Sequence, residues 1–145
     1  MIFKKQIIFC LVALVFSACK KDNSEDIFTI SIVSTQPLEI QQFQENIMVT
    51  IQYTHPEGFV GFSDPDYLSL EIKDSRLLNA DYYHLIPVSP PNEVISVQGE
   101  LLLEIDAPFV FGNGVSETLT YDIRIQDINK QWSNKVTTSL ITVSK

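Results

Sequence analysis

The sequence is short of the residues from which most active sites are made. Its two cysteines, Cys10 and Cys19, both fall within the first nineteen positions, so the body of the chain has neither a disulfide nor a thiol nucleophile. Two histidines, His55 and His84, stand apart from each other and in no spacing that holds zinc. Only five glycines occur, and they form neither a Gly-x-Ser-x-Gly elbow nor a loop that could cradle a phosphate. Basic residues are scarce: ten Lys and Arg face eighteen Asp and Glu, a formal charge of −8. That balance argues against nucleic acid and anionic lipid surfaces as partners, because both require a basic face. It suits a soluble exterior or the binding of cations. No helical period of useful length appears beyond the first residues, and there is no internal repeat.

The one long apolar run comes first. Residues 7–16 are apolar, follow Lys4 and Lys5, and lead into the small residues Ser17 and Ala18. This run is too short to span a bilayer and has the layout of an export signal over residues 1–18. A retained membrane anchor or a buried helix is the competing interpretation. Phe16-Ser17-Ala18-Cys19 resembles the lipobox of bacterial lipoproteins, with Phe16 standing where that family usually has Leu. The resemblance implies that Cys19 is lipidated and becomes the first residue of the mature chain. Several acyl chains on one residue anchor stably, at about 0.8 kcal/mol per buried methylene, so the protein is expected to sit on a membrane without crossing it. Loss of Lys4 and Lys5 with the leader takes the formal charge from −8 to −10.

Residues 20–26, Lys-Lys-Asp-Asn-Ser-Glu-Asp, are too polar to offset the entropy of ordering and read as a flexible tether. They also look like the export signal of Bacteroidota-type surface lipoproteins, which implies display on the outer leaflet of the outer membrane. A solvated linker accounts for the same residues.

From residue 27 onward the period is two. Phe28, Ile30 and Ile32 alternate with Thr29, Ser31 and Val33 until Pro37. Residues 38–46 read as a polar connection. Ile47, Val49, Ile51 and Tyr53 mark the clearest early strand, and Leu68, Leu70 and Ile72 another. Residues 82–88 predict a short strand limited by prolines. The longest alternation carries Ile95, Val97, Gly99, Leu101, Leu103 and Ile105 on one face, with Leu102 the one break and Gly99 suggesting a bulge or bend. Leu119 to Ile125 and residues 135–143 complete the set. The expected fold is all-β: a single antiparallel immunoglobulin-like β-sandwich of about seven strands over residues 27–145, with a small barrel or jelly roll as the alternative.

Asp127, Trp132, Ser133 and Asn134 look like the closing hairpin of Bacteroidota lipoproteins with an Ig-like or fibronectin-III-like domain. Lys130 stands where that family tends to have Gly, and Asn129 is the residue expected to take the left-handed turn position. The loop after Tyr53 is a looser match to the family's Asp-rich loop, keeping Gly58 and Gly61 but replacing acids with His55 and Phe59. The family implied is largely uncharacterised in function.

The loop from His55 to Asp66 is the favoured contact surface, through Phe59, Phe62, Asp64 and Asp66, because an exposed loop rarely carries two phenylalanines without use. Folding back to cap the core is the competing role. Glu57, Asp64 and Asp66 are weak candidates for a hard cation, and Asp-Pro-Asp is equally a common turn. Trp132 is expected to be a core or sheet-covering residue of the hairpin, while Tyr82, Tyr83, Phe109 and Phe111 offer further platforms for a sugar ring or a protein partner. No cofactor is expected. The function expected is a non-enzymatic, lipid-anchored interaction module or accessory subunit at the outer membrane. A carbohydrate-binding module of a glycan-uptake system is the first alternative, and a small two-carboxylate hydrolase a remoter one. The mature amino-terminal peptide is expected to carry acyl chains on Cys19 by mass spectrometry, and Cys19→Ala to move the protein from the membrane fraction to the soluble fraction. Recovery of a free thiol at Cys19 would sink the anchor.

Overall fold

Alternation with a period of two becomes ten strand segments in the computed structural model, which describes residues 27–58, 60–87 and 95–145. Among the described residues there is no helix. The expected leader, Cys19, the tether and Phe59 lie outside the described residues.

The strands are β1 (Thr29–Gln36), β2 (Glu39–Gln41), β3 (Ile47–His55), β4 (Leu70–Asp74), β5 (Asp81–Tyr83), β6 (Val97–Ile105), β7 (Ser116–Leu119), β8 (Tyr121–Ile125), β9 (Val136–Thr137) and β10 (Ile141–Ser144). The strands form three sheets, ordered β1-β3-β6, β5-β4-β8-β9 and β2-β10-β7. Because the chain runs on from β7 into β8 and from β9 into β10, the last two continue one another as a second layer whose buried residues share one core with the first. All pairings are antiparallel except β2 with β10.

Ten segments exceed the seven strands expected because three passages of the chain are interrupted. β1 and β2 form one passage that changes layer at the cis Gln36–Pro37 bond: β1 pairs with β3, and β2 with the carboxy-terminal β10. The polar connection expected over residues 38–46 therefore contains a strand. β7 and β8 are one passage broken at Thr120, whose N–H bonds to the Ser75 hydroxyl. β9 and β10 are one passage broken where the Thr138 hydroxyl accepts from the Tyr121 N–H, and the pairing slips there by one residue. Side chains of Ser and Thr compete here with the ladder for backbone groups.

The inward faces meet in one core. Ile47, Val49 and Ile51 from the first layer and Ile123, Ile125, Ile141 and Val143 from the second have 0% exposure. A slip of one residue would turn each set outward, which is why the alternation fixes the pairing. In β1 the register shifts at Val33, which bulges out so that Thr35 is buried where strict alternation would put it outside.

Gly99 corrects another expectation. The β3–β6 register runs unbroken from Ile47↔Ile105 to His55↔Val97, with no bulge. Gly99 lies opposite Tyr53, and a Cβ there would sit 2.6 Å from the phenol oxygen and 2.8 Å from the ring. The glycine is a seat for an aromatic ring, a recognised way to cover a glycine in an edge strand.

The layers also define two ends. His55 closes β3 at one end, beside Phe28, where the described chain begins; the loop of residues 56–69 and the turn of residues 126–135 gather there. Residues 42–46, 75–80 and 106–115 form the other end, one β3 length away, about 30 Å at the usual rise per residue. Gly99→Ala is expected to destabilise by about 1–3 kcal/mol through displacement of the Tyr53 ring. In urea unfolding, adding Tyr53→Ala should make the combined loss smaller than the sum of the two single losses.

Candidate functional site

The His55–Asp66 loop is stitched from within. The Glu57 N–H donates to His55 Nδ1 at 3.1 Å, so Nε2 carries the ring proton and donates to Asp127 Oδ2 at 3.2 Å. Asp127 Oδ1 accepts from the Gln131 N–H at 2.7 Å, which ties the loop to the closing turn. Both side chains are buried, and the Phe28 ring packs against the imidazole. Gly61, at φ 92°, passes so close to Leu85 that a Cβ would stand 2.6 Å from its carbonyl oxygen, so this glycine is required twice over. Phe62 is half-buried against Tyr67, with ring centroids 3.9 Å apart. Its N–H donates to the Leu85 carbonyl and its carbonyl accepts from His84 Nε2. Tyr67 in turn donates to Gln126 Oε1.

Asp64 and Asp66 are exposed neighbours, and Asp64 Oδ1 accepts from the Asp66 N–H at 3.0 Å, a turn-forming bond of the kind Asp supplies. Among the described residues no group of three or more His, Cys, Asp or Glu is placed to hold a metal ion. In the closing turn, Lys130 rather than Asn129 takes the left-handed conformation, at φ 66°. It lies where the resembling hairpins have Gly.

The opposite end carries a set of aromatic rings that the sequence only half disclosed. Phe43 stacks on Phe109 with centroids 5.3 Å apart, and Phe109 meets Phe111 edge-on at 4.8 Å. Phe43 is 66% exposed and held at φ 63°, where a bulky side chain is strained. The turn is fixed by the Gln42 N–H to the Ser144 carbonyl and by Gln42 Oε1 accepting from the Val110 N–H. Sequence reasoning passed over Phe43; the available signal was one phenylalanine in a run of Gln and Glu.

Arg76 holds the rings in place. Its guanidinium pairs with Asp74 (Nη2 to Oδ2, 2.7 Å) and with Glu117 (3.1 Å), donates to the Phe109 carbonyl at 2.8 Å, and lies 4.2 Å from the centre of the Phe111 ring. The Glu117 carboxylate also accepts from the N–H groups of Gly112 and Phe111, and these bonds, followed by Arg76, hold it below the usual carboxylate range. Burial alone would lower the Arg76 pKa, but Asp74 and then Glu117 more than offset it and raise it. The result is a loop with its aromatics pre-positioned by a charge-assisted network.

On the outer face of the second layer, Tyr82, Glu71 and Arg124 sit side by side on β5, β4 and β8. Arg124 grips Glu71 through two nitrogens, at 2.9 and 2.6 Å, and its guanidinium lies 4.4 Å from the centre of the Trp132 ring. Trp132 thus covers the sheet, as expected. Burial pushes the Glu71 carboxyl up, but the bonds from Arg124 and Tyr82 and the charges of Arg124 and Lys135 pull it below its ordinary value.

The chain matches no family model, no curated protein and no solved structure. Glu71→Gln is expected to cost about 1–3 kcal/mol at pH 7, since Arg124 loses its charged partner. A carboxyl that titrates lower in the folded than in the unfolded chain stabilises above its unfolded value near 4.5 and loses that contribution as pH falls through the folded value. Urea titrations should therefore show the wild type and Glu71→Gln converging in stability as pH falls below about 4.5.

Proposed function

We propose that the chain is a lipid-anchored, non-enzymatic interaction module at the outer membrane, and that it presents a rigid aromatic surface from the end of the sandwich farthest from its anchor. The observation that carries this is the Phe43–Phe109–Phe111 cluster, exposed yet fixed by Arg76 and by a strained turn. Pre-positioned aromatics are the usual anchors of a protein interface, because little freedom is lost when a partner closes over them.

The anchor supplies the orientation. A lipidated Cys19 followed by seven tether residues would join the sandwich at Ile27, beside His55, and such a leader reaches at most about 25–29 Å. The His55–Asp66 loop then faces the membrane side, and Phe43 with its neighbours faces away from it. Within this proposal the loop serves a partner in the same membrane, and the aromatic end serves one that approaches from outside.

A glycan as ligand also needs polar donors beside the ring faces. Near Phe43, Asn46 is committed to Glu104 and the Ala107 N–H and Gln42 Oε1 accepts from the Val110 N–H, which leaves the Gln42 amide nitrogen and the exposed Gln44 side chain as the polar groups a sugar would have to use. The test is capture from detergent-solubilised membranes with the mature lipidated protein, alongside a glycan array. Phe43→Ser combined with Phe109→Ser should keep the wild-type circular dichroism and lose at least about tenfold in captured partner, as expected when anchor residues are removed. Undiminished capture by the double variant would remove the aromatic end from the proposal, and array binding that depends on both rings would replace the protein partner with a glycan.

A further inference from the structure

A second surface stands on a different observation, the flank where the two layers gape. β6 pairs with β3 along one side, and among the described residues no strand pairs with its other side over nine residues, Val97–Ile105. The facing margin of the second layer is β5, which pairs only with β4. Between them runs a cleft of about 400 Å³ lined by apolar residues that include Leu70, Ile72, Leu85, Leu103 and Ile105. Leu102, the residue that breaks the alternation of β6, is 65% exposed on its outer face, and Ile86 across the cleft is 74% exposed.

Free strand edges invite further strands, and natural proteins blunt them with charge. The outer face of β6 carries Glu100 and Glu104 on either side of Leu102. In antiparallel self-pairing centred on Leu102, Glu100 of each copy would stand opposite Glu104 of the other, so like charges would meet twice. A second copy of this chain is therefore disfavoured. The same acids suit a strand that brings the opposite charge. The cleft lining includes Glu104 and Asp106 and no Lys or Arg. Tyr83 at its margin has its phenol pushed up by burial first and then by Asp81 and Asp106, so acids from both layers converge on it.

We propose that the open edge of β6 docks an extended segment of a partner protein in which Lys or Arg alternates with apolar residues, added to the sheet as a further strand. Its backbone bonds along β6, and every second side chain fills the cleft between the layers. On the outer face its basic residues lie against Glu100 and Glu104, and the aliphatic stem of the one between them lies along Leu102.

The probe is a fluorescent peptide of alternating Lys and Val, titrated into the mature protein and followed by anisotropy. Saturable binding is expected, with hydrogen-exchange protection gained on the amides of β6. Glu100→Lys, a fully outward position, should weaken the peptide, and Glu100→Lys with Glu104→Lys should weaken it by about tenfold or more while admitting a peptide of alternating Glu and Val. A Lys–Val peptide with methylated backbone nitrogens should not bind the wild type, a control that needs no variant to fold. Equal binding of the methylated or the Glu–Val peptide to the wild type, protection that falls outside β6, or a concentration-dependent dimer that buries β6 would each overturn the proposal.

Discussion

Everything in this fold depends on β3 being held on both sides at once. Its inward residues Ile47, Val49, Ile51 and Tyr53 can be buried only if β1 and β6 pair with it in one register, and those two pairings account for the whole first layer. The register in turn fixes what lies at each end of the strand. His55 must arrive where it meets Asp127 and Phe28, and Ile47 must leave the preceding turn where Phe43 reaches Phe109. Local alternation thus decides the position of groups far apart in sequence, because a period of two leaves one way to bury a half-apolar strand.

The ends of the sandwich are built on different principles. Around His55 the loops are joined by hydrogen bonds of side chains to backbone and to one another, and the aromatics there fold inward, as Phe62 does onto Tyr67. Around Arg76 the aromatics stay outside while the charge that positions them is largely shielded. A guanidinium can do this because it offers a fork to carboxylates and a flat face to a ring at the same time. Lysine in its place would keep the charge and lose both geometries.

The all-strand fold, the inward faces of β3, β6 and β8, and the covering role of Trp132 were legible in the sequence because each rests on short-range alternation or on a large residue beside a turn. Pro37 marked the end of β1, but the breaks between β7 and β8 and between β9 and β10 were not legible, since they arise from hydroxyls of Ser75 and Thr138 reaching across to other strands. Strand β2 was hidden for a similar reason: Glu39–Gln41 has one apolar residue, and its stability comes from a parallel partner a hundred residues away. Gly99 carried a signal whose meaning lay in Tyr53, on the neighbouring strand. Leu102 was visible as an exception to the pattern, but an exception acquires a use only when the topology leaves its strand at an edge. Phe43 and Arg76 needed three loops brought together before their roles existed.

The layer change at Pro37 bears on how the molecule carries force. Between Ile27 and Phe43 the chain runs the length of the first layer once, as the extended β1, so a pull between those two residues is borne by covalent backbone already drawn out while the seven positions paired with β3 stay unloaded. Little slack is left to take up, and the body passes such a pull from one rim to the other as a stiff rod.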